Sequence, residues 1–350
     1  MKKLLFALIL TTVFLSGCLI KLGNSQPSAV AGVFKSFDKG NTWVERNVFL
    51  HSGGVASIGS LNVINLTFDP QDDKAVYLAS EADGLLYSYD GGDSWMKVNS
   101  FPNGKINSVV VDPYNKCVIY ATFGNTILKT TDCSRTWSEI YVDTRADKAI
   151  TALAIDAYDN LVVYAGNTAG DILKSTDGGD NWRVIHRVDD QISKILIYPS
   201  DTRIIYVATN ARGIFKTTNG GATWSDMNEG LQKYSGSFEF RNLIFNSGVS
   251  NSLILVAKYG LLKTVDGGLN WEPIQLITPP TSVDIFSIAI NPENNNEIYY
   301  ATASTFYKTV DGGLNWITKR LPTGAVATFM KVDPADPNVI YMGLSNLNNK

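Results

Sequence analysis

The 350-residue chain is poor in the residues from which many catalytic and metal centres are built. Its only two histidines, His51 and His186, both fall in segments read as surface loops, so a His-rich metal site or a Ser-His-Asp triad has almost no material. No metal and no cofactor are expected. Charge of neither sign dominates: 30 basic against 33 acidic residues leave a net charge of −3, which gives no reason to expect nucleic acid. The apolar run Leu4–Leu15 is too short to span a bilayer. Cysteine is scarce too, with three residues, Cys18, Cys117 and Cys133.

What the chain does have is a repeat. Lys-Thr-Val-Asp-Gly-Gly-Leu-Asn-Trp occurs letter for letter at Lys263–Trp271 and at Lys308–Trp316. The looser pattern Ser/Thr-x-Asp-x-Gly-x-x-Trp recurs with Asp38 and Trp43, Asp90 and Trp95, Asp177 and Trp182, Asp266 and Trp271, Asp311 and Trp316. Two altered copies carry Asn219 before Trp224, and Asp132 before Trp137 with Ser134 in place of glycine. These seven copies use all seven tryptophans of the chain. The Asp or Asn can bond backbone N–H groups just downstream, and the glycines accept φ > 0 at little steric cost, so each copy reads as a rigid turn between two strands. The Trp opens the following strand, where burial of its ring is worth roughly 2–3 kcal/mol.

The motif resembles the Asp-box, or BNR, repeat of sialidases, sortilin-type receptors, xyloglucan-degrading glycosidases and the photosystem II assembly factors. In those families the box joins the third and fourth strands of a propeller blade. The resemblance covers nearly all of the chain past its N-terminal segment, and it implies fold more than function, because the box carries no chemistry.

Between successive tryptophans the chain predicts four strands. Those of one unit are Ile106–Asp112, Val118–Thr122, Ile127–Thr130 and a fourth starting at Trp137. The first strands align on the turn that ends them, at Asp69, Asp112, Asp156, Asn246, Asn291 and Asp333. One and three positions earlier the side chain is apolar in all six, which marks a buried face. The C-terminal part, Ala327–Leu344, supplies a first and second strand without a box, and Ala31–Val48 supplies a third strand, a box and a fourth. The two together complete one blade. The reading is an all-β fold, a seven-bladed propeller of four-stranded antiparallel blades over residues 31–350, closed by pairing its terminal segments.

Lys2 and Lys3 ahead of Leu4–Leu15 have the shape of an export signal. Leu15-Ser16-Gly17-Cys18 resembles the bacterial lipobox, which implies a signal peptide over 1–17, acylation of Cys18 and a tether over 18–30 that holds a monomeric propeller on the membrane of the cell envelope. In such an exported chain, Cys117 and Cys133 depart from their repeat in the same unit. A hairpin centred near residue 125 sets them opposite each other, with Cα atoms about 4.5–5.5 Å apart, close enough for a disulfide.

If the propeller follows the families it resembles, ligands approach the face opposite the boxes, where the long segments Arg46–Leu61, Ser225–Phe240 and Ile274–Asp284 are expected. Six of the nine arginines, Arg46, Arg145, Arg187, Arg212, Arg241 and Arg320, fall on or beside the loops of that face, which suggests a site for an anion or an acidic protein. The aspartates of the boxes and of the first-strand turns already have structural work. A sialidase would need a Phe/Tyr-Arg-Ile-Pro motif early in the chain, which is absent; Phe240-Arg241-Asn242-Leu243 is the nearest string and lies in the wrong part of the fold. Xyloglucan enzymes place two propellers around a cleft, against one here, whereas the photosystem II assembly factors are single lipid-anchored propellers with an arginine patch. The expectation is a non-enzymatic, envelope-anchored scaffold that binds a protein or glycan, with a glycoside hydrolase of sialidase or xyloglucanase type as the alternative.

Overall fold

A computed structural model describes residues 29–246 and 248–347. The export segment expected over 1–17, Cys18 and the expected tether up to residue 28 lie outside the described residues. Seven four-stranded antiparallel blades follow one another around a ring, one of them extended to a six-stranded sheet by an added hairpin, with one short 3-10 turn among the described residues at Glu229–Leu231. The chain is a seven-bladed, all-β propeller.

Blade 1 comprises Val63–Asp69, Asp72–Ser80, Leu85–Ser88 and Ser94–Lys97, written as strands A to D from the axis outward. Blades 2 to 6 repeat this order, with first strands Val109–Val111, Ile150–Ile155, Ile192–Ile197, Phe240–Phe245 and Ser287–Ile290. Blade 7 is split: Val326–Val332 and Ile340–Ser345 are its inner strands, and Gly32–Ser36 and Val44–Glu45 its outer ones. Gly32 pairs with Leu344 and Ser36 with Ile340, so the two ends of the ring close through a five-pair ladder.

Each repeat motif is held by local bonds of one pattern. The Ser or Thr hydroxyl donates to the Asp or Asn Oδ1 at 2.6–2.9 Å and accepts the backbone N–H four residues on at 2.7–3.1 Å. The same Oδ1 accepts the N–H of the residue before the Trp at 2.7–2.9 Å. That residue, Thr42, Ser94, Thr136, Asn181, Thr223, Asn270 or Asn315, also bonds the other side-chain atom of the Asp or Asn, a position the sequence pattern left free.

The tryptophans differ in depth. Trp95 and Trp271 are fully buried and the other five are half-buried on the outer strands. The difference comes from the segments that cross them. Val48–His51 and Gly54–Ser57 form a hairpin whose first strand runs parallel to Ser94–Lys97, and Trp95 donates its indole N–H to the Arg46 carbonyl at 2.8 Å. Tyr234 covers Trp271 and donates to its carbonyl at 2.6 Å. The segment Arg46–Leu61, expected as an open ligand loop, is therefore in large part an extra edge hairpin, and much of Ser225–Phe240 packs down around Leu231. His51 ends a strand of that hairpin and His186 lies in Arg183–Arg187, stacked on Trp224, so both belong to strands rather than to the expected loops.

Blade 2 is the irregular one. Both turn positions of its motif are left-handed without glycine, Cys133 at φ 58° and Ser134 at φ 66°. The structure joins Cys133 to Cys117 in a disulfide, with Cα atoms 3.8 Å apart. They are not a regular opposed pair at the expected 4.5–5.5 Å. Ile119 pairs with Thr130, so the ladder continued sets Cys117 opposite Asp132, and the tight turn brings Cys133 in instead, its N–H bonding the Cys117 carbonyl at 3.2 Å.

Candidate functional site

In an antiparallel blade the A–B and C–D connections share one face of the ring, and the B–C and D–A connections share the other. The repeat motifs, being C–D turns, occupy the first face. Of the six arginines expected on the second, Arg145, Arg187, Arg212, Arg241 and Arg320 lie in or at the ends of its connections. Arg46 does not join them: its Nε is 3.0 Å from Asp93, in the motif turn of blade 1, because the chain there is bound as the edge of blade 7.

Between blades 2 and 3, Arg145 grips two buried carboxylates at once. It donates to Asp143 at 2.9 and 2.7 Å and also to Asp171, while Arg187 reaches Asp171 at 2.8 Å. Buried Asn167 lies beneath, donating to Asp143 at 2.8 Å and to Asp171 at 3.3 Å. The Arg145 hydrogen bonds hold the Asp143 carboxyl below its usual range; burial pushes Asp171 up, but Arg145 and Asn167 outweigh it and the net direction is also down. Both are ionised at neutral pH, so neither is fit to act as a general acid. The Arg145 side chain remains 42% exposed and that of Arg187 71% exposed above them.

Further around the face the pairing is looser. Arg212 meets Asp189 at 3.1 Å with both side chains exposed, and exposed pairs of this kind contribute little. Arg241 and Lys258 share Asp284, at 3.3 and 3.2 Å. Arg320 has no ion pair among the described residues. Beside Tyr259 a groove of about 400 Å³ is walled by Ile274–Pro280, whose Gln275 carbonyl accepts the Trp316 indole N–H at 2.8 Å.

The motif aspartates carry no catalytic arrangement. Hydrogen bonds from Thr136, Asn181 and Asn315 hold Asp132, Asp177 and Asp311 at about 2, and in Asp266 such bonds override a burial effect of opposite sign to reach about 2. Among the described residues, Asp69 is the carboxylic acid whose pKa burial raises, and it sits in the A–B turn of blade 1 on the motif face. No group of histidine, cysteine or acidic side chains suited to a metal ion occurs among the described residues.

The geometry defines a seven-bladed propeller with an arginine-bearing loop face. No protein-family model matches the chain. By sequence it is similar to a xyloglucanase of Paenibacillus sp, 29% identical over 163 residues, which is 46% of this chain and 14% of that enzyme. Among solved structures it is similar to the GH74 enzyme of Niastella koreensis, with a TM-score of 0.64 and 18% identity over 81% of this chain and 51% of the other. It is also similar to YCF48 bound to D1 peptide, with a TM-score of 0.62 and 18% identity over 83% of this chain and 94% of the other. The chain thus spans about half of the GH74 structure and a much smaller part of the xyloglucanase. At these identities the structural likenesses show the fold alone.

Proposed function

We propose that the protein is a non-enzymatic binding propeller whose loop face recruits a polypeptide with acidic groups, and that acylated Cys18 anchors it to the cell envelope. The observation that carries the reading is the state of the face. Arg145 and Arg187 stand exposed over carboxylates that are buried and ionised, and across blades 4 to 6 follow Arg212 loosely paired with Asp189, Arg241 and Lys258 sharing the single Asp284, and Arg320 with no ion pair among the described residues. Glycoside hydrolysis by paired carboxylates needs one acid kept protonated near neutral pH. The one raised carboxyl among the described residues is on the opposite face. YCF48, a propeller matched over 94% of its length, is seen in complex with a peptide, which favours the same kind of role.

Glycosidase activity is the second reading, favoured by the sequence similarity to xyloglucanases. One experiment separates the two. Wild-type protein and an Arg212→Glu/Arg241→Glu variant are used as bait on detergent-solubilised envelopes and tested in parallel for turnover of a glycan panel containing xyloglucan. A partner retained by the wild type, weakened by salt and lost in the variant supports the scaffold. Turnover that disappears when one loop-face carboxylate is replaced overturns it.

A further inference from the structure

The seven A strands enclose a channel of about 680 Å³ along the axis of the ring. Counting back from the residue that ends each A strand, positions one and three pack between blades and positions two and four face the axis. In blade 4 the ending residue is Tyr198, whose N–H bonds the Ile204 carbonyl just as that of Asp156 bonds Val162 in blade 3. Position four is then Lys194. In blade 7, counted from Asp333, position two is Lys331. Both line the channel, Arg241 lies at its loop-face end, and no aspartate or glutamate is among its lining residues.

The two ammonium groups lack a counter-charge. Lys194 donates to the neutral Asn242 Oδ1 at 2.6 Å, and Lys331 stands 4.8 Å from the centre of the Phe68 ring. Neither forms an ion pair among the described residues. Asp333 lies two residues from Lys331, but its Oδ1 accepts the N–H groups of Ala335 at 2.8 Å and Asp336 at 3.3 Å, its Oδ2 stands 3.4 Å from the Tyr341 hydroxyl, and it forms no ion pair with Lys331. Burial, and then the charge of Lys331, lower Lys194 to about 8; burial lowers Lys331 as well, against the opposing pull of Asp333. Neither side chain is sealed in the core: Lys331 is exposed and Lys194 half-buried, so both charges open into the channel. In a chain of net charge −3, two cations in a channel without an acid leave a place for an anion from outside.

We propose that the channel binds a small organic dianion, its charged head between Lys194 and Lys331 and its apolar part toward the loop face among Phe240, Phe286 and Phe329, which line the channel at or above the level of Lys194. Two charges on one head satisfy both lysines at once, and the volume exceeds what an inorganic oxyanion fills. Phosphate monoesters and aromatic dicarboxylates share this chemistry.

Calorimetric titration of the wild-type protein in low-chloride buffer tests the site with phenyl phosphate, phthalate, inorganic phosphate and phenol. Saturable one-to-one binding of phenyl phosphate or phthalate is expected, with inorganic phosphate at least tenfold weaker and phenol silent; whichever of the first two binds tighter separates the phosphate source from the dicarboxylate one. Lys194→Met and Lys331→Met should each weaken binding at least tenfold, whereas Lys194→Arg and Arg320→Glu should retain it. Binding should fade as pH rises through 8, where Lys194 loses its proton in the empty channel. The methionine variants each remove one of two like charges that share the channel without an ion pair and should melt no lower than the wild type in ligand-free buffer. Absence of saturable binding to both aromatic dianions, or unchanged affinity in both methionine variants, overturns the proposal.

Discussion

Tyr341 donates its hydroxyl to the carbonyl of Gly91 at 2.7 Å, so a residue near the C-terminus of the ring grips the motif turn of the first complete blade. Lys35 donates to the same carbonyl at 2.7 Å from the other half of the split blade. This Tyr and Lys grip recurs, with Tyr120 and Lys129 on Gly178, Tyr164 and Lys174 on Gly220, and Tyr206 and Lys216 on Gly267. Each motif turn so held is clamped by the blade before it. The Lys that precedes the motif Ser or Thr therefore links blades, although as a sequence letter it looks like a surface charge.

Replacing Tyr341 by Phe should lower stability by about 1 kcal/mol, the net worth of one hydrogen bond, because Lys35 still satisfies the Gly91 carbonyl. Urea unfolding with an unchanged slope measures this. A variant with the wild-type midpoint would show that the bond contributes nothing to ring closure.

The left-handed Ser134 predicts a gain. A non-glycine residue in this conformation costs roughly 1–2 kcal/mol, so Ser134→Gly should stabilise by about 1 kcal/mol. Reduction of the Cys117–Cys133 bond, which closes a loop of sequence separation 16, should remove about 3 kcal/mol. Thiol counting on unfolded, unreduced protein checks the bond itself, and two free thiols would refute it.

Acid should act on the motif turns. Asp132, Asp177, Asp266 and Asp311 have folded pKa values of about 2, below the roughly 3.9 of an unfolded Asp. A depressed carboxyl contributes stability that is complete above the unfolded pKa and is lost as pH falls through the folded one. Melting temperature should hold from pH 7 to about 5 and fall between about 4 and 2. Asp311→Asn, which copies the natural Asn219, should flatten that fall; an identical acid profile would assign it to other groups.

The proposed anchoring rests on Cys18. Cys18→Ser should move the protein from the membrane fraction to a soluble or unprocessed form. Fractionation with detection of the acyl chains decides the matter, and a variant that stays acylated and membrane-bound would remove the lipobox reading.

The blade count and the split seventh blade were legible in the residues alone. The motif turn is made within nine residues by its own hydroxyl, carboxylate and backbone groups, so seven copies declare seven turns wherever they are placed. The terminal half-units, Ala31–Val48 without inner strands and Ala327–Leu344 without a motif, pointed to one another for the same reason. Other features depended on contacts between residues far apart in the chain. That Arg46 faces Asp93, that Tyr234 covers Trp271, and that Arg145 joins Asp143 to Asp171 follow from how inter-blade segments settle on neighbouring blades, which no local pattern encodes. The channel lysines fall between these cases. Their alternation with buried residues was present in the sequence, but Tyr198 stands where the other blades carry Asp or Asn, and the register of Lys194 became clear only when the ring placed blade 4 beside its neighbours.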